Sequence, residues 1–174
     1  MKKLLLIIYY ALLQRFPMQP MPGYKIGYKL RYWCVKHLLR RCGTDVIVKD
    51  HCYFGNGSRL TVGNRSQLGS NARLKGEIPI GDDVLMGPDV VKMATSHKFT
   101  RLDMPINLQG SKPEEPIVIG NDCWIGMRAI ILPVVHIGNR CIVAVGAVVT
   151  RSFPDRCILG GVPAKLLKVR EQVC

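Results

Sequence analysis

Aliphatic residues return every six positions along two stretches of the chain. Counting from Ile119 they fall at Ile125, Ile131, Ile137, Val143 and Val149, and counting from Val62 at Leu68, Leu74, Ile80 and Met86. A helix repeats near 3.6 residues and a strand alternates at 2, so neither alone has this period. Ten full hexads start at residues 62, 68, 74, 80, 86, 119, 125, 131, 137 and 143, and each opens on an aliphatic residue or methionine. Seven second positions are glycine (63, 69, 81, 87, 120, 126 and 138) and an eighth is Ala144. Fifth positions are modest in size, among them Ser66, Ala72, Cys123, Ala129, Cys141 and Ala147. Six residues make one short strand and a corner, with positions one and five on the same face. Glycine at the second position is expected to supply backbone angles that other residues resist. Such units stack as coils, and because one coil buries little, several must stack. Two looser hexads, "VKDHCY" and "FGNGSR", start at Val48 and Phe54. The two-residue step from Leu60 to Val62 keeps the inward face of a strand inward.

Between the blocks the period fails. Ile119 stands 33 positions after Met86, which is not a multiple of six, and the intervening segment carries Pro105, Pro113 and Pro116. Residues 93–116 are therefore predicted to leave the coil as a loop, and a loop of that length in a compact domain is usually functional. Residues 1–42 read as a separate helical segment, and 43–174 as the coil domain with the loop inserted. One helix is predicted from Leu4 to Gln14, ended by Pro17, and a second from about Ile26 to Arg41. Ile26, Leu30, Trp33 and His37 form one stripe of the second helix, while Lys25, Lys29, Lys36 and Arg40 lie mostly away from it. The simpler expectation is a cap over one end of the core with a solvated basic face; the alternative is a membrane-surface anchor. The opening "KKLLLIIYYALL" resembles a signal peptide, but no small-x-small cleavage site follows and ten apolar residues are too few to span a bilayer, so a retained helix is expected.

Composition changes this picture at one point. Hydrophobic residues make up 48% of the 174 and charged residues 21%, ordinary for a globular domain, but the net charge is +13. Before Asp45 there is no acidic residue and there are nine basic ones. Nucleic acid, a membrane surface or an anionic small molecule could each answer that excess. No nucleic-acid motif and no basic stripe interleaved with aromatics appears on the coil. Seven cysteines form no C-x-x-C pair and no zinc-like spacing, which fits reduced thiols in a cytoplasm. Cys52, Cys123 and Cys141 take the small inward position, so packing is their expected role.

The motifs "IGDDVLMGPDVV", "IGNDCWIG", "ILPVVHIGN" and "GGVPAKLL" resemble the hexapeptide-repeat acyltransferases over residues 46–170. Within that family the resemblance is to the maltose, galactoside and capsular-polysaccharide O-acetyltransferases. Resemblance, not periodicity, implies a left-handed coil, a homotrimer with sites between subunits, and acetyl-CoA as donor. The fold class then reads as all-β: a left-handed parallel β-helix with an N-terminal helical cap, an extended loop after the first block and a short C-terminal tail or helix.

In the resembling enzymes the histidine that opens the loop, ten residues after an "IGP" type of motif, is catalytic, and "MGPDVVKMATSH" keeps that spacing at His97. A lone histidine suits the chemistry. Neutral imidazole takes the proton of a hydroxyl as its oxygen attacks a thioester, an assistance of about 10²–10⁴ in rate, with no metal or acyl-enzyme required. His37, His51 and His136 are expected to be helical or solvated. The resemblance puts Trp124 at an acceptor pocket and acetyl-CoA against Gly126, Met127, Val145, Thr150, Arg151, Lys165 and Lys168, the cations answering its phosphates. Met127 and Val145 depart from the smaller residues of relatives. Gln67 and Lys75 replace an Asn and an Asp on the acceptor side, so a small free sugar is disfavoured and a cell-surface saccharide or its precursor is expected. An N-acyltransferase acting on an amino sugar is the alternative, and a non-enzymatic β-helix a distant one. Cytoplasmic placement is expected, membrane-peripheral if residues 1–42 contact anionic lipid.

Overall fold

The computed structural model describes residues 1–93 and 96–171. Two helices, α1 (Lys2–Ala11) and α2 (Tyr24–Leu38), precede a three-faced parallel coil. One face stacks Arg41–Cys42, Leu60–Val62, Ile78–Ile80, Val118–Ile119 and His136–Ile137. The second carries Ile47–Val48, Gln67–Leu68, Leu85–Met86, Trp124–Ile125, Ile142–Val143 and Cys157–Gly160. The third carries Arg73–Lys75, Val91–Met93, Ile130–Ile131 and Val148–Val149. Val62 pairs with Ile80 and Ile119 with Ile137, a step of 18 residues, so three hexads close one turn of a left-handed β-helix. First-position residues pile in the middle: Leu68, Leu74, Met86, Ile125, Ile131, Ile137, Val143 and Val149 are fully buried. Leu60 and Val62 are both buried, as the two-residue step requires, and Cys52, Cys123 and Cys141 fill the small inward positions.

The second-position glycines serve a purpose other than the expected one. None of the seven has positive φ. Instead, a Cβ at Gly126 would stand 2.7 Å from Val143 O and Val145 N of the next turn, and one at Gly87 would stand 2.7 Å from Met127 N. Close stacking of corners, not backbone freedom, excludes a side chain there. In nine of the ten hexads the left-handed residue is the fourth, with φ between 52° and 69° at Arg65, Asn71, Asp83, Asp89, Asp122, Arg128, Val134, Arg140 and Gly146, whereas the hexad from Leu74 turns at its third residue, Gly76 (φ 101°). Asn and Asp tolerate this region; the β-branched Val134 does so only because neighbouring turns hold it.

A column of third-position side chains joins the turns along the corner after the first face. The Thr44 N–H donates to Asn64 Oδ1 (2.9 Å), Asn64 N–H to Asp82 (2.7 Å), Asp82 N–H to Asn121 (2.8 Å), Asn121 N–H to Asn139 (2.8 Å) and Asn139 N–H to Asp155 (2.8 Å). Each carbonyl or carboxyl oxygen thus satisfies a backbone donor that the corner leaves unpaired.

The helices cap the first turn, but α2 presents the opposite side from the expected one. Ile26 and Trp33 are 61% and 55% exposed, whereas Gly27, Arg31, Cys34, Val35 and Leu38 face inward. The reason is a polar anchor. The buried guanidinium of Arg31 donates to the carbonyls of Val48 (2.8 Å), Leu13 (3.1 Å) and Phe16 (2.9 Å), closing the helix–turn–helix onto the coil. Tyr9 Oη and Gln14 Nε2 both donate to Cys52 O.

The coil continues past the recognisable first block through the strand Val91–Met93. Lys92 pairs with Leu74 and with Ile131 on the third face and points inward, fully buried, its Nζ without a hydrogen-bond partner among the described residues. The loop then leaves. It is a hairpin, with His97 bridged to Ser111, Lys98 N–H donating to Gly110 O (3.0 Å) and Lys112 N–H to Ser96 O (2.8 Å). At the other end, the tail is a strand rather than a helix: Lys165–Val169 runs antiparallel to Cys157–Gly160.

Candidate functional site

His97 stands at the foot of the hairpin, four positions after the last third-face strand ends, and its side chain is exposed. A rigid coil below and a backbone bridge to Ser111 fix where the imidazole starts from. Beyond it the hairpin presents Phe99, Leu102, Ile106 and Leu108 to solvent, Leu102 at 99%. Lys112 Nζ lies 4.4 Å from the Phe99 ring centroid.

Trp124 lies on the second face, directly between Leu85 and Ile142 in the parallel ladder. Half of its surface is open, as is half of Leu85, so the two make an apolar strip on the outer side of this face. Gln67 belongs to the same face, one turn nearer the helical cap. Its amide is already occupied, with Nε2 donating to Met86 O at 2.8 Å. No hydrogen bond or strand pairing among the described residues links His97 to Trp124 within one chain; the hairpin rises from the third face and Trp124 faces outward from the second.

The residues expected against acetyl-CoA divide between two corners. Met127 and Val145 stack at the corner after the second face, in successive turns, both open to solvent, with Gly146 N–H donating to Met127 O (2.9 Å). Gly126 at that corner has no room for a side chain against the next turn. Lys165 and Lys168 extend the second face through the antiparallel tail, paired with Gly160 and Ile158, and both are exposed. Thr150 and Arg151 lie at the next corner, across the third face, where the Arg151 guanidinium sits 5.2 Å from the Phe153 ring centroid. One surface of the coil therefore carries Met127, Val145 and the two lysines, and another carries Thr150 and Arg151.

A cleft of about 520 Å³ escaped the sequence reading. Its wall is the outward column Tyr53, Arg73 and Val91 of the third face together with His51, Asn71 and Asp89 at the adjoining corner, and Gln14 closes it. Its wall includes Val91 of the strand that precedes the hairpin. His51 is more than a solvated corner residue: Nδ1 is 3.1 Å from Asp50 Oδ2. Burial acts to raise the Asp50 pKa, and the neighbouring polar side chains of Ser70 and His51 overcome it and hold the carboxyl below its ordinary range. The signal that could have revealed the column is the turn spacing applied to outward rather than inward positions: Arg73 to Val91 and Asn71 to Asp89 are 18 residues apart, and Tyr53 to Arg73 and His51 to Asn71 are 20, the extra two being the step from Leu60 to Val62.

Comparison with known proteins places this geometry among relatives. Residues 116–151 match the family model of the bacterial transferase hexapeptide, six repeats. The galactoside O-acetyltransferase of Escherichia coli K12 is 29% identical over 136 residues, 77% of this chain and 66% of that protein. The putative colanic acid biosynthesis acetyltransferase WcaF of Escherichia coli K12 is 26% identical over 148 residues, 84% of this chain and 78% of that protein. Among solved structures, galactoside acetyltransferase in complex with coenzyme A superposes with a TM-score of 0.73 at 25% identity, covering 98% of this chain and 79% of the other. A maltose O-acetyltransferase from Clostridium difficile 630 superposes at 0.75 with 23% identity, covering 98% and 85%.

Proposed function

We propose that this hexapeptide-repeat acyltransferase carries an acetyl group from acetyl-CoA to a hydroxyl of a saccharide, a cell-surface polysaccharide or its precursor, with His97 as general base. The observation that carries the reading is the position of His97: an exposed imidazole at the root of a hairpin that interrupts a rigid coil. The similarity to a galactoside O-acetyltransferase and to WcaF supports a saccharide acceptor. The coenzyme A complex of the structural relative supports the donor.

In this reaction neutral His97 takes the hydroxyl proton as the oxygen attacks the thioester carbonyl carbon. The C–O bond forms, the C–S bond breaks, and the imidazolium returns its proton to the departing thiolate of CoA. Lys165 and Lys168 meet the phosphates of CoA, and the exposed Trp124 ring offers an apolar face to the C–H side of a sugar. Holding donor and acceptor together supplies much of the remaining acceleration.

The three cations and the two corners do not form one pocket in one chain, and the hairpin exposes Phe99, Leu102, Ile106 and Leu108. A homotrimer resolves both: the hairpin of one subunit covers the apolar strip of its neighbour, and each site is completed between two chains. The reading is tested by incubating the protein and acetyl-CoA with a panel of saccharides and following free thiol. Release that depends on a hydroxyl acceptor supports it; release with amino sugars alone, or with none, contradicts it.

A further inference from the structure

The helical cap has an outer face that neither the coil nor the proposed chemistry uses. On α2, Ile26, Leu30 and Trp33 recur at helical spacing and are 61%, 37% and 55% exposed. Lys25, Lys29 and Lys36 run beside them, all exposed, so the outward surface is an aliphatic and aromatic row bordered by an ammonium row. On α1, Leu4 and Ile7 are 61% and 64% exposed, next to Lys2 and Lys3. The turn between the helices adds exposed Met21 and Arg15. Of the nine basic residues before Asp45, Arg31 is buried as the anchor, and among the described residues only Arg40 pairs with a carboxylate, that of Glu77 at 3.4 Å.

We propose that this face docks the protein on the surface of an anionic phospholipid bilayer, with Ile26, Leu30 and Trp33 entering the headgroup boundary and Lys25, Lys29 and Lys36 against lipid phosphates. Two observations select this occupant. The face is strongly cationic with no carboxylate of its own segment, so two copies laid face to face would repel, whereas an anionic surface is attracted. It also carries aliphatic side chains that contacts with a nucleic-acid backbone would leave unused, and a tryptophan at the level where indole rings settle in bilayers. Insertion is shallow, because no helix among the described residues is long and apolar enough to cross a membrane. The inward placement of Arg31 is what makes the surface available: by anchoring α2 through its carbonyl contacts, it turns the Trp33 row outward. The inference stands independently of the acyl-transfer reading, since it concerns a different surface.

The test is co-sedimentation of the full chain with vesicles of phosphatidylcholine alone and of phosphatidylcholine with 30% phosphatidylglycerol, at low and at 0.5 M salt, together with Trp33 emission in a Trp124→Phe background. Partition to anionic vesicles at low salt at least tenfold above neutral ones, with a blue shift of Trp33, is expected. Combined Lys25→Glu, Lys29→Glu and Lys36→Glu should lower it by more than about a hundredfold, since loss of each cation near the surface is worth about fivefold and each new carboxylate adds repulsion. Combined Ile26→Ser, Leu30→Ser and Trp33→Ser should lower it with the lysines intact; far-UV dichroism verifies the fold of each variant. Equal partition to both vesicle types would overturn the proposal. So would binding retained by both variants, or an oligomer that dissociates when the Ile26–Leu30–Trp33 row is made polar, which would assign the face to a second copy. An oligonucleotide that binds both the parent and the serine variant equally, with no partition to vesicles, would assign the charge to nucleic acid instead.

Discussion

Lys92 is the residue most at odds with its surroundings. It occupies a position that every recognisable hexad gives to an aliphatic side chain or methionine, between Leu74 and Ile131, and its amine meets no acceptor. Burial lowers its pKa from 10.5 to about 7, against the smaller upward pull of the thiols of Cys123 and Cys52. Between those two values the unfolded chain holds a proton that the folded chain has released, so the Lys92 contribution to stability rises with pH across that window. Below about pH 7 the full cost remains, because the charged amine sits in the core. Buried thiols act in the other direction: burial raises Cys52 to about 12, so unfolding is favoured where free thiols ionise, above about pH 8.5. The clean readout is therefore a comparison. Lys92→Met should stabilise the protein most at and below pH 7, by several kcal/mol on the order of 1.4 per shifted unit, and the gain should shrink as pH approaches 10. Urea unfolding of both proteins from pH 6 to 10 measures it; a gain that does not depend on pH would assign the effect to packing alone. Lys92 also explains why the first block seemed to end early in the sequence. Its charge breaks the pattern, while the coil continues through Met93.

Among the elements, the coil and the two cap helices were legible, but the side that α2 turns inward was not. Hexads announce themselves because every turn repeats the same stacking constraint. The second-position glycines were found, yet their reason was misread, since sequence cannot distinguish a crowded corner from a strained one. Helix α2 was read inside out. Its apolar stripe follows the usual rule, but the rule fails where one guanidinium satisfies several carbonyls that capping leaves open. Arg31→Ala should therefore cost about 3 kcal/mol by leaving those carbonyls unpaired around a cavity. The loss should be local to the cap: helical dichroism melts earlier while the coil's transition stays near its original temperature. A single unchanged transition would contradict the anchor role. At the candidate site, His97 and the cations were nameable only through resemblance to a family, because a lone loop histidine and a basic tail have no periodicity to mark them. The cleft was missed because it is built from outward positions of three turns, which are neighbours in space and 18 or more residues apart in sequence.

For the whole molecule, the coil is a wall, the cap an end face and the hairpin an arm. Leu85 and Trp124 on the wall and Phe99, Leu102, Ile106 and Leu108 on the arm are exposed apolar surfaces of one chain. Two large apolar patches on a free monomer would be unusual, and their mutual covering is what the proposed trimer predicts. Light scattering should give three chains of 19.5 kDa, and Leu102→Asp with Leu108→Asp should shift the mass toward the monomer and abolish turnover together. A fully active monomer would contradict a shared site. The proposed proton transfer belongs to one imidazole, that of His97. The direct measurement is kcat for His97→Ala against the parent on an acceptor from the saccharide panel, with intact mass of the protein recorded during turnover. A fall of about 10²–10⁴ with CoA binding retained, and no acetylated protein, is the predicted result. Near-normal turnover by His97→Ala would contradict it and require another proton acceptor.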